Sequence, residues 1–143
     1  MKKVMLAVLV SGTLFNLTVS AQKIAAAKVP AVITTSFTKD FPGITATWEK
    51  EKINYEANFK QNGSSMSALY DANGNKIETE KDVRIATLPA AVSLYITKNY
   101  KGGKIKEAAI ITKANGEINY EAEVNGVDML FTKDGKFIRA AKD

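Results

Sequence analysis

Ile53-Asn54-Tyr55-Glu56-Ala57 and Ile118-Asn119-Tyr120-Glu121-Ala122 are one pentapeptide written twice in the same chain. An identity of this length within 143 residues points to an internal repeat. Upstream, Val29-Pro30-Ala31 matches Leu88-Pro89-Ala90, while Phe37, Lys39, Phe41 and Gly43 match Ile96, Lys98, Tyr100 and Gly102. Downstream, Tyr70-Asp71-Ala72-Asn73-Gly74 aligns with Phe131-Thr132-Lys133-Asp134-Gly135. The offsets differ among the three stretches, which places a longer first hairpin in the second copy. The expectation is one domain over residues 22–143 built from two units, 29–86 and 87–143.

Each unit opens on a helical pattern. Val29, Ile33, Phe37 and Phe41 recur every fourth residue, with Pro30 in the first turn and Pro42-Gly43 as the stop. Leu88, Val92, Ile96 and Tyr100 repeat the spacing between Pro89 and Gly102-Gly103. The first helix is rich in β-branched residues (Val32, Ile33, Thr34, Thr35, Thr38), so it must draw its stability from packing.

The remainder of each unit alternates with period two. It is punctuated by Asn62-Gly63, Asn73-Gly74, Asn115-Gly116, Asn125-Gly126 and Asp134-Gly135. Such dipeptides tolerate the two positive φ angles of a type I′ turn, so each predicts a two-residue hairpin loop. Centring loops there, and near Glu51-Lys52, aligns Trp48–Tyr55–Tyr70–Ile77, Ala46–Ala57–Ala68 and Ile44–Phe59–Met66 across the first unit. In the second it aligns Ile111–Tyr120–Phe131–Ile138 and Ala109–Ala122–Met129–Ala140. The predicted fold is α+β: a helix followed by a four-stranded antiparallel meander, in tandem, with two helices on one face of the sheet or sheets.

The opposite face follows by parity. Its expected rows are Thr47–Glu56–Leu69–Glu78 and Ile110–Glu121–Leu130–Arg139. This face is read as wet, with Ala108, Ile110 and Leu130 as apolar residues that mark a partner site. The candidate binding surface is therefore Thr47, Glu56, Leu69, Ala108, Ile110, Glu121, Leu130 and Arg139.

Composition narrows the chemistry. The chain has no Cys and no His, which removes thiol nucleophiles, imidazole bases and the common zinc, copper and haem ligands. Lys2 and Lys3, the apolar run from Val4 and the small residues Val19-Ser20-Ala21 are read as a signal peptide over 1–21; the expectation is cleavage after Ala21 and no remaining membrane anchor. Without Lys2 and Lys3 the formal charge of +5 becomes +3, with cations and acids interspersed, so nucleic acid is not an expected partner. Asp71-Ala72-Asn73-Gly74-Asn75 begins like a calcium loop, but its Gly is too early and the run too short; it is read as a turn. Glu49 with Glu51, or Glu56 with Glu121, are formal carboxylate pairs that nothing in the sequence brings into a cleft. Trp48, Tyr55 and Tyr70 are assigned to the core. No catalytic, cofactor or metal-binding residue is assigned.

These stretches taken together resemble a known family. Val29-Pro30-Ala31-Val32, Phe41-Pro42-Gly43, Trp48-Glu49-Lys50, Tyr55-Glu56-Ala57 and Asp71-Ala72-Asn73-Gly74, with counterparts from Leu88 onward, are similar to the PepSY-like proteins grouped with the β-lactamase-inhibitor-protein fold. The second copy departs from the pattern at Lys101, in place of the proline, and at Glu107, in place of Trp48. The resemblance implies an exported, periplasmic or secreted domain of two helix-and-sheet units, in a fold best known for gripping an enzyme with its open sheet face. The resulting expectation is a non-catalytic binding module with a protein partner, an enzyme inhibitor being one form of it. A structural or accessory envelope protein is the alternative, and a hydrolase ranks last.

Overall fold

The computed structural model describes residues 21–142. The leader inferred for 1–21 lies outside the described residues except for Ala21. Nine strands form one antiparallel sheet in which each strand pairs only with its neighbours in sequence. They are β1 (Gln22–Ile24), β2 (Thr47–Glu51), β3 (Asn54–Gln61), β4 (Ser64–Tyr70), β5 (Lys76–Val83), β6 (Ile105–Lys113), β7 (Ile118–Val124), β8 (Val127–Thr132) and β9 (Phe137–Lys142). Helix α1 (Ala31–Asp40) precedes β2, and α2 (Ala90–Asn99) precedes β6. The sequence left open whether there is one sheet or two; pairing of Glu78–Val83 with Ala108–Lys113 makes it one.

Both helices start after a proline whose carbonyl accepts the first helical N–H bonds, from Ile33 to Pro30 and from Val92 to Pro89 (both 2.9 Å). Their apolar stripes roof one face of the sheet. Val29, Ile33, Phe37 and Phe41 pack with Trp48, Ala57, Phe59, Ala68 and Tyr70. Leu88, Val92 and Ile96 pack with Ala108, Ala122, Val124, Met129 and Phe131. Phe37 sets the edge of its ring against Trp48 (5.4 Å between centroids) and Phe59 (5.2 Å), a geometry that suits the ring quadrupoles. Tyr70 donates to the Asp40 carboxylate at the end of α1 (2.9 Å), which Lys76 also approaches (3.3 Å). Burial and this bond hold the Tyr70 phenol above its ordinary range. The second unit has Asn99 and Phe131 at the matching places, and stacks Tyr95 on Phe137 instead (4.6 Å).

The turns explain where the register departs from expectation. Asn62 and Asn125 have positive φ together with the glycine that follows, so these two loops have two residues, as predicted. At Asn73-Gly74, Asn115-Gly116 and Asp134-Gly135 only the glycine is left-handed. Each closes a three-residue loop: Asp71, Lys113 and Thr132 each donate their N–H to the residue four positions on and accept from the glycine N–H. That loop carries one residue more than the predicted turn and shifts the pairing by one. After Asn73-Gly74 and Asp134-Gly135, irregularities at Leu69/Tyr70 and Leu130/Phe131 absorb the shift at once, so Leu69–Glu78 and Met129–Ala140 pair as expected. Tyr70 consequently faces Lys76, not Ile77, and Phe131 faces Phe137, not Ile138.

After Asn115-Gly116 the irregularity comes only at Ile105/Glu107, and most of β6 is inverted relative to expectation. Ala108 pairs with Ala122 and Ile110 with Tyr120 beneath the helices, while Ala109 and Ile111 point to the opposite face. Ala108 and Ile110 are therefore not part of the uncovered surface. In the first unit the loop is Lys52-Ile53, two-residue but displaced, with the positive φ on Lys52. Trp48 faces Ala57 instead of Tyr55, and Glu49 instead of Thr47 faces Glu56. A displacement by an even number preserves the faces, so Trp48 stays in the core.

Gly135 illustrates how tightly the turns and helices meet. A Cβ there would lie 2.7 Å from the Ala91 Cβ on α2, and the residue already sits at φ +78°. Gly135→Ala should destabilise the fold by about 2 kcal/mol through overpacking and backbone strain. Ile33→Ala should cost about 2–5 kcal/mol, since Ile33 is wholly buried under the first roof. Urea unfolding of both variants measures these losses.

Candidate functional site

The uncovered face is assembled by parity from all nine strands, and it is mostly acidic. Glu49 and Glu51 on β2, Glu56 on β3 and Glu78, Glu80 and Asp82 on β5 point to it. Glu107 on β6, Glu121 and Glu123 on β7 and Asp128 on β8 continue the field across the second unit. The bases on this face are Lys23, Lys60, Lys113 and Arg139. Of these, Lys113 reaches Glu78 across the β5–β6 seam (3.4 Å).

This face is not evenly wet. Neither described helix packs on it, yet Glu56 retains 5 % of its exposure, Glu121 8 %, Asn119 2 % and Ile111 1 %. Leu130, Ala109, Ser67, Asp128 and Glu51 are buried as well. Among the described residues no helix and no second sheet lies over this face. The expectation of a solvated carboxylate row is corrected on this point: Glu56 and Glu121 are dehydrated.

Dehydration shows in the chemistry of Glu121 and Glu51. Glu121 has its carboxyl pushed up to about 9, first by loss of solvent, then by the Glu80, Asp128 and Glu78 carboxylates, with Arg139 opposing. Glu51 is raised by burial and by Glu78, against Lys52. The Glu121 Oε2 and Asn119 Oδ1 atoms accept no hydrogen bond, although Asn119 Nδ2 donates to Glu117 (3.2 Å). Asp71 behaves oppositely. Its carboxylate, bonded by the Asn75 side chain and by the Asn75 and Asn73 N–H groups, is held low and is committed to the turn. Among the described residues no three His, Cys, Asp or Glu side chains converge as a metal would need.

Of the predicted surface, Thr47, Glu56, Leu69, Glu121, Leu130 and Arg139 lie on this face, with Glu56–Leu69 and Glu121–Leu130–Arg139 as cross-strand rows. Thr47 sits beside Asn58, away from Glu56. The reading from sequence missed Glu80, Asp82, Glu123, Asp128, Ile111 and Asn119. A signal for most of them was present, because Glu78, Glu80 and Asp82, and likewise Glu121 and Glu123, alternate with period two.

The model of the family described as "Putative beta-lactamase-inhibitor-like, PepSY-like" matches the chain twice, over residues 16–77 and 53–139. The chain belongs to that family. Solved structures with the same fold accompany the PepSY-like match. A DUF2874 family protein from Bacteroides uniformis is 22 % identical, with a TM-score of 0.69, covering 78 % of this chain and 88 % of its own. A BLIP-like protein from Bacteroides fragilis is 24 % identical, with a TM-score of 0.63, covering 78 % and 84 %. One from Bacteroides eggerthii, described among "putative periplasmic proteins", is 18 % identical, with a TM-score of 0.70, covering 79 % and 88 %. At these identities the likeness is one of fold. No curated protein matches the sequence. Among the described residues no helix is long and apolar enough to cross a membrane.

The raised Glu121 carboxyl makes a pH prediction. A group bound to its proton more tightly when folded stabilises the fold fully below its unfolded value near 4.5, and that contribution is lost as pH rises through about 9. The melting temperature of the wild type should fall between about pH 6 and about pH 9. Glu121→Gln, which cannot ionise, should flatten that slope and be the more stable form at the alkaline end.

Proposed function

We propose that this PepSY-like protein is a non-catalytic extracytoplasmic binding module that grips a protein partner with the uncovered face of its sheet. The family's inhibitor-like description suggests an enzyme as that partner. The observation that carries the reading is the burial of carboxylates and apolar side chains on a face that no described helix covers. Dehydrated acids weaken an isolated fold. A docking face recovers the loss when a partner supplies donors, as at the Glu121 Oε2 atom, which accepts none. Leu69, Ile111 and Leu130 give the same face an apolar floor.

Two further elements belong to this reading. Periplasmic or secreted placement is supported by the basic, apolar, small-residue order of the chain's start and by the description of the B. eggerthii neighbour. Tandem duplication of a helix-and-four-strand unit, over 29–86 and 87–143, is supported by the repeated pentapeptide and by the double match of the family model. Catalysis is not part of it. Glu56 on β3 and Glu121 on β7 stand on strands that are far from adjacent, and no imidazole or thiol is available to activate a nucleophile.

Photo-crosslinking tests the reading. A photoreactive residue at Leu69, on the uncovered face, should yield one discrete protein adduct in the cell envelope. The same residue at Leu94, which is 71 % exposed on α2, should not. Equal labelling from both positions, or none from Leu69, would count against the face.

A further inference from the structure

We infer that the uncovered face receives an extended, lysine- or arginine-rich segment of its protein partner, with one cationic side chain donating to the Glu121 carboxylate and the Asn119 carbonyl. The inference deepens the binding-module reading and rests on it. Its first support is charge complementarity. The chain is formally positive as a whole, yet the acids gather on this face and outnumber Lys23, Lys60, Lys113 and Arg139 there, leaving most lysines on the helix side, the edges and the turns. A segregated field of this kind steers and orients a cationic partner and repels a polyanion.

The second support is independent of net charge. Asn119 Oδ1, and Glu121 Oε2 once its proton has left, are buried acceptors with no donor among the described residues, two residues apart on β7 and pointing to the same side. Two residues along a strand span about 6.6 Å. A guanidinium or ammonium supplies several N–H donors to such a pair, whereas a carbonyl, carboxylate or phosphate supplies none. The third support is the floor. Leu130 and Ala109 flank Glu121 across the ladders, and Ile111 lies opposite Asn119. Apolar walls around an acceptor suit the methylene stem of Lys or Arg, which buries its chain and presents its charge at the tip. A bare divalent ion would need several carboxylates converging, and among the described residues none do so.

Docking of a cation also carries a proton signature. The groups facing Glu121 are Glu78 and Glu80 from β5, Asp128 from β8 and Arg139 from β9; burial first, and then the carboxylates among them, keep its proton bound in the free protein. An arriving cation reverses that balance, so binding near neutral pH expels a proton from Glu121.

Isothermal titration with acetylated, amidated hexa-arginine against the whole mature protein tests this. Binding should weaken by about tenfold or more between about 50 and about 300 mM NaCl. Hexaglutamate should not bind. Heats measured in buffers of different ionisation enthalpy should report proton release for the wild type and none for Glu121→Gln. Glu80→Gln, at a half-exposed position, should weaken binding by about tenfold without Glu121's burial being at stake, and Asp134→Asn, in an exposed turn, should leave it unchanged. Affinity unaltered by both face variants, binding of hexaglutamate, or a self-associated state in sedimentation that competes with the peptide would overturn the proposal, the last by naming a second copy as the occupant. If hexa-arginine does not bind while Leu69 still captures a partner, the cationic class falls and the docking face stands. If neither occurs, both fall.

Discussion

Along the seam between β5 and β6, Glu78–Val83 run antiparallel to Ala108–Lys113, Lys113 reaches Glu78, and the Ala114 N–H donates to the Ile77 carbonyl (2.8 Å). Each flanking unit has its own roof and its own apolar cluster, and Val83 of β5 packs against the second one. The seam turns two half-sheets into one surface. It places Glu80 beside Ile111 and Asp82 beside Ala109, and brings the carboxylates of the first unit within electrostatic range of Glu121 in the second. Without it the acidic field would be two short patches, and the dehydrated centre would be an edge.

The two faces divide the labour of the fold. Beneath the helices, Ile33, Ala57, Ala68, Val92, Ala122 and Phe131 are almost or entirely excluded from water, and burial of this kind supplies the net stability. On the far side, Glu51, Glu56, Glu121 and Asp128 oppose that gain by giving up hydration. The side with surplus stability thus holds the side with surplus charge in place, and no strained backbone is needed to do it.

Much of this was legible in the residues. The four-residue spacing from Val29 to Phe41 and from Leu88 to Tyr100 fixes both helices and their inward stripes, because only one face of a short helix can be buried. The antiparallel hairpins followed from the turns. Side-chain parity in β6 did not, because Asn-Gly serves both a two-residue loop and a three-residue loop, and the difference of one residue exchanges Ile110 for Ile111 and Ala108 for Ala109. Strand β1 was missed because Gln22-Lys23-Ile24 is too short to show alternation. The dryness of Glu56 and Glu121 was beyond reach in principle, since it depends on what surrounds each side chain in three dimensions, a property that no local pattern encodes.

The order of the strands has a kinetic consequence. Since every strand pairs only with the next one along the chain, no pairing waits for a distant segment to arrive, and the one interruption within the sheet's second half is the crossing over α2. Loop closure is therefore inexpensive at almost every step, and a β-rich chain of this size can zip from hairpin to hairpin faster than a Greek-key sandwich, whose first and last strands must find each other. Rapid, stepwise assembly also shortens the time during which bare strand edges could recruit other chains.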